Sequence, residues 1–391
     1  MLVAWCLVAV YAFVGCVYWF DLAVGAARAV ARVPDLDRVD PHNPPRWPSL
    51  SIVVAARNEA GTIEAALGTL LSVDYPDLQI IVVDDRSDDA TGEIIDRAAG
   101  RDARVQTVHV TELPDGWLGK VHALSVGAAR AEGEWLLLTD ADVHLRADAL
   151  RRAVAFAEAR GLDHLAVLPR LETSSLLVEA MVAAFLRIFL VAMKVWAVSD
   201  PKSRAFIGVG AFNLVRRAAL DQTQGFEWLR LEVADDAGLG LLLKSAGFRS
   251  AAARGPGLVS VEWYRSLADM ARGAEKGYAP IGHCRPWRMW IIGLALTLLE
   301  LAPLAMFLPL GHRGFWSAGV AMLAAGAVSI SLIHRAMHRP LLAGLLFPVA
   351  AVIAAAIWLR AGWLGWRRGG VLWRDTFYPS EQLRAAARVR L

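Results

Sequence analysis

Two short apolar runs that end in acid constrain the fold of this chain most. Ile80-Ile81-Val82-Val83 runs into Asp84-Asp85, and Trp135-Leu136-Leu137-Leu138-Thr139 runs into Asp140-Ala141-Asp142. Runs this short, β-branched or leucine-rich and bounded by turn residues, predict buried strands of a parallel sheet. In open α/β sheets a ligand binds in the crevice beyond the carboxyl ends of the strands, where these carboxylates fall. A third acidic pair, Asp235-Asp236, follows further along. One Asp pair after a strand is an ordinary turn. Three in order, the middle one spaced D-x-D, suit a ribose, a metal ion or a reacting hydroxyl.

The 391 residues suffice for one large domain or two ordinary ones. At 56% hydrophobic residues the chain is too apolar to be soluble throughout, and the excess lies at its two ends. Residues 2–20 carry no charge and are long enough to cross a bilayer, which takes roughly 20 helical residues. A cleaved signal peptide fits poorly, because no positive stretch precedes the run and no small-residue cleavage pattern follows it. Arg28, Arg32 and Arg38 follow instead, which predicts a membrane anchor with its downstream side in the cytoplasm. Residues 289–310, 315–333 and 341–359 predict three further crossings, separated by His312-Arg313 and by His334-Arg335 with His338-Arg339. Trp287, Trp290, Trp316, Trp358, Trp363 and Trp366 gather at their ends, as interfacial belts do. Three full crossings would leave Arg360, Arg367, Arg368 and Arg374 outside, so 341–359, with its Pro348, is the candidate for a re-entrant segment. Glu300 should face protein or a polar cavity.

A net charge of +3 suits an anionic membrane face and is too small and dispersed to argue for nucleic acid. The three cysteines, Cys6, Cys16 and Cys284, exclude a disulfide framework and a cysteine zinc site. Between the apolar ends, strand-like runs at 50–55, 79–83, 105–110, 135–139 and 165–168 alternate with helical stretches at 62–71, 91–99 and 121–131. That alternation predicts a parallel sheet with crossover helices. Residues 206–215 and 257–263 read as further strands beside the acids. Residues 176–198 are apolar yet hold Glu179, Arg187 and Lys194 within about 80° of one another on a helix. They read as a helix in the membrane interface or as a core helix with one solvated stripe. The chain thus divides into an anchor (1–27), a linker (28–48), an α/β domain (49–280) containing the interfacial helix, a membrane region (281–366) and a basic tail (367–391).

Four motifs in order point to a family. Arg57-Asn58-Glu59 with Val83-Asp84-Asp85-Arg86-Ser87, Gly116-Trp117-Leu118-Gly119-Lys120, Thr139-Asp140-Ala141-Asp142 and Val233-Ala234-Asp235-Asp236 resemble the family-2 glycosyltransferases of GT-A fold. The resemblance is to their membrane-bound, lipid-glycosylating branch, which includes ceramide glucosyltransferase and the hopanoid- and carotenoid-associated enzymes. It implies an α/β, Rossmann-like GT-A domain with one N-terminal and about three C-terminal transmembrane helices in the cell membrane, the catalytic domain cytoplasmic. It also implies an inverting, non-processive enzyme moving a hexose from a UDP-sugar to a membrane lipid acceptor. Asp84 or Asp85 and Glu59 would hold the uridine, with Arg57, Lys120 and Asp140 also on the donor. Asp142 would hold Mg²⁺ or Mn²⁺, whose hard-oxygen preference suits a carboxylate. In a D-x-D the two side chains leave an extended backbone on opposite sides, so Asp140 and Asp142 can serve different partners. Asp236 would be the general base, its proton affinity raised by its neighbour Asp235.

Blander readings stand beside these. Lys120 could be a solvated first-turn lysine, and the Asp235-Asp236 pair merely the acidic start of a helix over 237–244. Two features depart from the family. Arg86 stands where many relatives have Gly, and the processive Gln/Arg-x-x-Arg-Trp motif is absent from 270–278. Trp373-Arg374-Asp375-Thr376-Phe377-Tyr378 resembles a Trp-Arg-Gly-x-x-Tyr tail whose role the sequence does not explain. A polyprenyl-phosphate sugar synthase is the competing enzyme, and a catalytically silent membrane scaffold the competing class.

Overall fold

The computed structural model describes residues 2–39, 44–308 and 314–389, so His312-Arg313 and part of the linker lie outside the described residues. α1 (Leu2–Arg32) leads into the domain. There β1 (Leu50–Ala56), α2 (Ile63–Leu71), β2 (Leu78–Asp85), α3 (Thr91–Ala99), β3 (Val105–Val110), α4 (Gly119–Arg130) and β4 (Trp135–Asp140) alternate as the apolar runs predict. The four strands lie side by side as β3-β2-β1-β4, all parallel. The core strands are buried on both faces, which is why they read as continuous apolar runs. In register, Ala56 pairs with Asp84 and Ala55 with Asp140, so the acidic strand ends finish level at one edge.

Beyond β4 the sheet departs from expectation. β5 (Val143–Leu145), α5 (Ala149–Ala159), β6 (His164–Leu168), β7 (Arg170–Thr173) and α6 (Leu176–Ala192) precede β8 (Asn213–Arg216), which inserts antiparallel between β4 and β6. The sheet is therefore mixed, and the strand read at 206–215 is reduced to its last few residues. Residues 206–212 are spent as a loop against the acidic site. A Cβ at Gly208 would collide with the Asp236 carbonyl, and Gly210 O accepts the Asp140 N–H at 3.1 Å. α7 (Arg217–Asp221), α8 (Gly225–Trp228) and α9 (Asp235–Ser245) lead to β9 (Ser250–Arg254), which completes the sheet beside β6. β10 (Val259–Tyr264) joins β5 and β7 in a second sheet.

After α10 (Leu267–Gly273) come α11 (Pro286–Ala305), α12 (Gly314–Ala336), α13 (Leu341–Leu345) and α14 (Phe347–Arg368). Among the described residues five helices are long and apolar enough to cross a membrane: Val3–Arg32, Leu176–Ala197, Pro286–Ala305, Phe315–Ala336 and Phe347–Arg368. Phe13, Ile291, Leu294, Val320 and Val352 are all exposed, a greasy surface that suits lipid. The expected run 341–359 is two helices, with Pro348 in the first turn of the second, where its missing N–H is not needed. At the start of α14, Phe347 packs edge-on against Trp19, whose Nε1 donates to Leu299 O at 3.0 Å.

Two of the three charges in the polar stripe of 176–198 are shielded from water, while Lys194 is exposed. Glu179 pairs with Arg339 and Arg187 with Glu300, all four side chains buried, and Tyr18 donates to Glu300 at 2.5 Å. The solvated-stripe reading fails for Glu179 and Arg187, because charges from other elements complete that part of the face, and holds for Lys194. Glu300 faces protein, as a carboxylate in a membrane segment must. The chain ends in a hairpin, β11 (Gly370–Trp373) and β12 (Thr376–Pro379), and in α15 (Ser380–Ala386).

Candidate functional site

Lys120 lies in the first turn of α4, facing the acidic strand ends. Its Nζ is 2.8 Å from Asp140 Oδ1 and 3.3 Å from Asp235 Oδ2. The solvated reading of Lys120 fails, since it bridges two of the three acidic clusters. Burial works to depress its pKa, but Asp140, Asp235 and Asp236 outweigh burial and hold it above the usual lysine range. Burial works to raise Asp140, but Lys120 outweighs it and the carboxyl falls below its ordinary value. For Asp235 the balance reverses. Burial dominates, Lys120 opposes it, Asp236 adds to it, and the carboxyl is pushed up to about 6.

Asp236 is oriented by backbone. Its Oδ2 accepts the Gly210 N–H at 2.9 Å and its Oδ1 the Ala237 N–H at 2.7 Å. The helix reading of the pair is correct in geometry, for α9 begins at Asp235. The expected like-charge effect is felt on Asp235, the more deeply buried of the two. Asp142, just past β4, is pushed up to about 6 by burial and then by Asp140 and Glu59. Among the described ion pairs Asp142 takes part in none, whereas Asp140 is engaged by Lys120. No group of three or more His, Cys, Asp or Glu among the described residues could cage a metal. Mg²⁺ and similar hard ions are commonly held by one or two carboxylates plus substrate phosphates and water. A half-buried Asp142 carboxylate without a direct ion pair among the described residues fits that demand.

On the other side, Asp85 takes Arg86 Nε and Nη2 at 2.8 and 3.0 Å. Arg86 has φ 56°, so the turn needs the left-handed backbone that glycine supplies in the resembled family. Asp84 accepts the Ser87 N–H at 3.2 Å and meets His109 Nδ1 at 3.1 Å. Glu59 Oε1 takes Arg374 Nη2 at 2.6 Å, and Arg57 Nε is buried without a partner. The structure thus brings Asp140, Asp142, Asp235, Asp236, Lys120 and Glu59 together, while Asp84 and Asp85 are each engaged by a base. Sequence reading missed His109 and Arg374. His109 comes to Asp84 only through the β2–β3 register, and Arg374 only through the C-terminal hairpin.

Residues 51–188 match the family described as Glycosyl transferase family 2. The chain is 36% identical over 122 residues to the succinoglycan biosynthesis protein ExoO of Rhizobium meliloti (strain 1021), covering 30% of this chain and 33% of that protein. It is 33% identical over 112 residues to the 4,4'-diaponeurosporenoate glycosyltransferase of Staphylococcus haemolyticus (strain JCSC1435), covering 29% of each. The match thus spans a third or less of these curated relatives. The solved structure of the mannosyltransferase PcManGT from Pyrobaculum calidifontis, in complex with GDP-Man and Mn²⁺, superposes with a TM-score of 0.53 at 20% identity. That superposition covers 90% of this chain and 97% of that one, a likeness of fold. This chain therefore contains a glycosyltransferase family 2 domain of GT-A fold.

Proposed function

We propose that the protein is an inverting, non-processive glycosyltransferase that moves a hexose from a UDP-sugar to a membrane lipid. The observation that supports this best is Asp236, whose two oxygens each accept one backbone N–H beside the Lys120–Asp140 pair. A carboxylate has about four lone-pair sites, so Asp236 keeps capacity to accept a proton from an acceptor hydroxyl. In the proposed reaction that oxygen attacks the sugar C1 opposite the leaving diphosphate. Lys120 pairs directly with Asp140 and Asp235 and forms no direct ion pair with Asp236. Arg57 and Lys120 supply positive charge toward the leaving group, while Glu59, Asp84 and Asp85 hold the nucleoside. A Mg²⁺ or Mn²⁺ ion on Asp142 would add Lewis-acid stabilisation of the diphosphate.

The lipid acceptor rests on the apolar helices that flank the domain and on the relative named for 4,4'-diaponeurosporenoate. The membrane anchor, the interfacial site and a cytoplasmic catalytic face belong to the same proposal. The silent-scaffold alternative predicts no nucleotide binding. Mass spectrometry of lipid extracts from cells with and without the protein tests the reading. A lipid heavier by one hexose only in cells that make the protein supports it, and identical extracts with a new hexose polymer overturn the lipid acceptor. Supplying UDP- and GDP-hexoses separately to washed membranes tests the donor, since the solved neighbour was captured with GDP-Man.

A further inference from the structure

The donor and base residues leave the 373–378 segment without a role, yet it reaches the site. The turn between β11 and β12 is Arg374-Asp375, and both residues are left-handed, with φ 46° and 63°. Such turns match the twist of a hairpin but favour Asn, Asp or Gly, so an arginine there is strained. The strained residue points its guanidinium at the carboxyl end of β1. Nη2 lies 2.6 Å from Glu59 Oε1, and Nη1 donates to Arg57 O at 2.6 Å. The charge is also felt by Asp140 and Asp142.

The rest of the tail fixes the hairpin in place. Tyr378 Oη accepts the Gly119 N–H at 3.2 Å, one residue before Lys120. Lys276 Nζ stands 5.7 Å from the Trp373 ring centroid. Glu232, three residues before Asp235, accepts the N–H groups of Arg388 and Val389 at 2.7 and 2.9 Å. The last stretch of the chain therefore lies across the site, from Glu59 to the segment that leads into Asp236.

We propose that Arg374 is a donor-binding residue, which presents the N–H groups not used by Glu59 and Arg57 to the diphosphate of the nucleotide sugar. A guanidinium has five N–H donors in a planar fork suited to phosphate oxygens. Two are used here, and the side chain is 48% exposed. The inference rests on the proposed function, and its test separates the two.

Isothermal titration of the full-length, detergent-solubilised protein in Mn²⁺ compares UDP with uridine, which lacks the diphosphate. Arg374→Gln should weaken UDP binding by about tenfold or more, the loss of a charge-assisted hydrogen bond, and leave uridine binding within about twofold. Arg374→Lys should fall between, because it keeps the charge and loses the fork. UDP affinity unchanged in Arg374→Gln overturns the inference and leaves the enzyme reading intact. UDP and uridine weakened alike also overturn it, since Arg374 would then only shape the site. Wild-type protein that binds neither UDP nor GDP overturns both.

Discussion

At Lys120 one ammonium holds two buried acids, and the chemistry of the site depends on that balance. Removing it leaves Asp140 and Asp235 without a counter-charge, and breaking a buried pair costs about 3–5 kcal/mol, the lower end applying at this partly open position. Lys120→Met should therefore lower thermal stability, and Lys120→Met with Asp235→Asn should recover part of the loss. A single variant as stable as wild type would mean that the lysine does not hold these acids together. His109 offers a pH test. Hydrogen bonds to Asp84 and then Asp96 raise its pKa above the ordinary 6.5. A raised folded pKa adds stability that is fully present below about 6.5 and is lost as pH rises through the folded value. The melting-temperature advantage of wild type over His109→Asn should be larger at acidic than at alkaline pH, and an equal advantage at both contradicts the bridge. His109 did not announce itself in the sequence, whereas Lys120 stood in the Gly116–Lys120 motif without its partners being visible. Asp84, Asp140, Asp142 and Asp236 were legible because they follow apolar runs or motifs. The partners of Lys120 and His109 are distant in sequence and meet them only through strand register.

At the scale of elements, β1 to β4 and their helices were legible because an apolar run too short for a helix and bounded by turn residues folds as a doubly buried strand. β8 was not, for its direction depends on the 208–210 loop seated on Asp236 and Asp140. The stripe of α6 was visible, but its neutralisation by Glu300 and Arg339 was not, because both partners come from later in the chain. The Arg187–Glu300 pair is a structural contact. Glu300→Gln should lower stability by about 3–5 kcal/mol, as removal of one partner of a buried ion pair does. It should leave the KM for the lipid acceptor unchanged. A raised lipid KM without lost stability would instead put Glu300 on the acceptor's route.

At the scale of the whole molecule, the bundle returns the chain to the side of the domain. α12 ends where Ala336 O accepts Arg254 Nη1 at 3.3 Å, and α14 ends where Arg368 pairs with Glu275 at 2.6 Å. Between them Phe347, at the start of α14, packs against Trp19 of α1. Arg360 and Arg368 pair with Glu275 and Arg374 with Glu59, the placement that the proposed cytoplasmic catalytic face expects. Ser380→Cys, in a protein lacking Cys6, Cys16 and Cys284, should resist an impermeant thiol reagent in intact cells and react once the membrane is opened. Ready labelling in intact cells would make 341–359 a full crossing. The central claim is that Asp236 takes the proton of a lipid hydroxyl during sugar transfer. The direct measurement pairs two readings on Asp236→Asn: transfer of labelled hexose from the nucleotide sugar into the organic phase, and titration with UDP in Mn²⁺. A base at Asp236 predicts transfer reduced about 10²–10⁴-fold with UDP affinity unchanged. Transfer retained in this variant would contradict it, and would favour an acceptor that is already anionic, such as a polyprenyl phosphate.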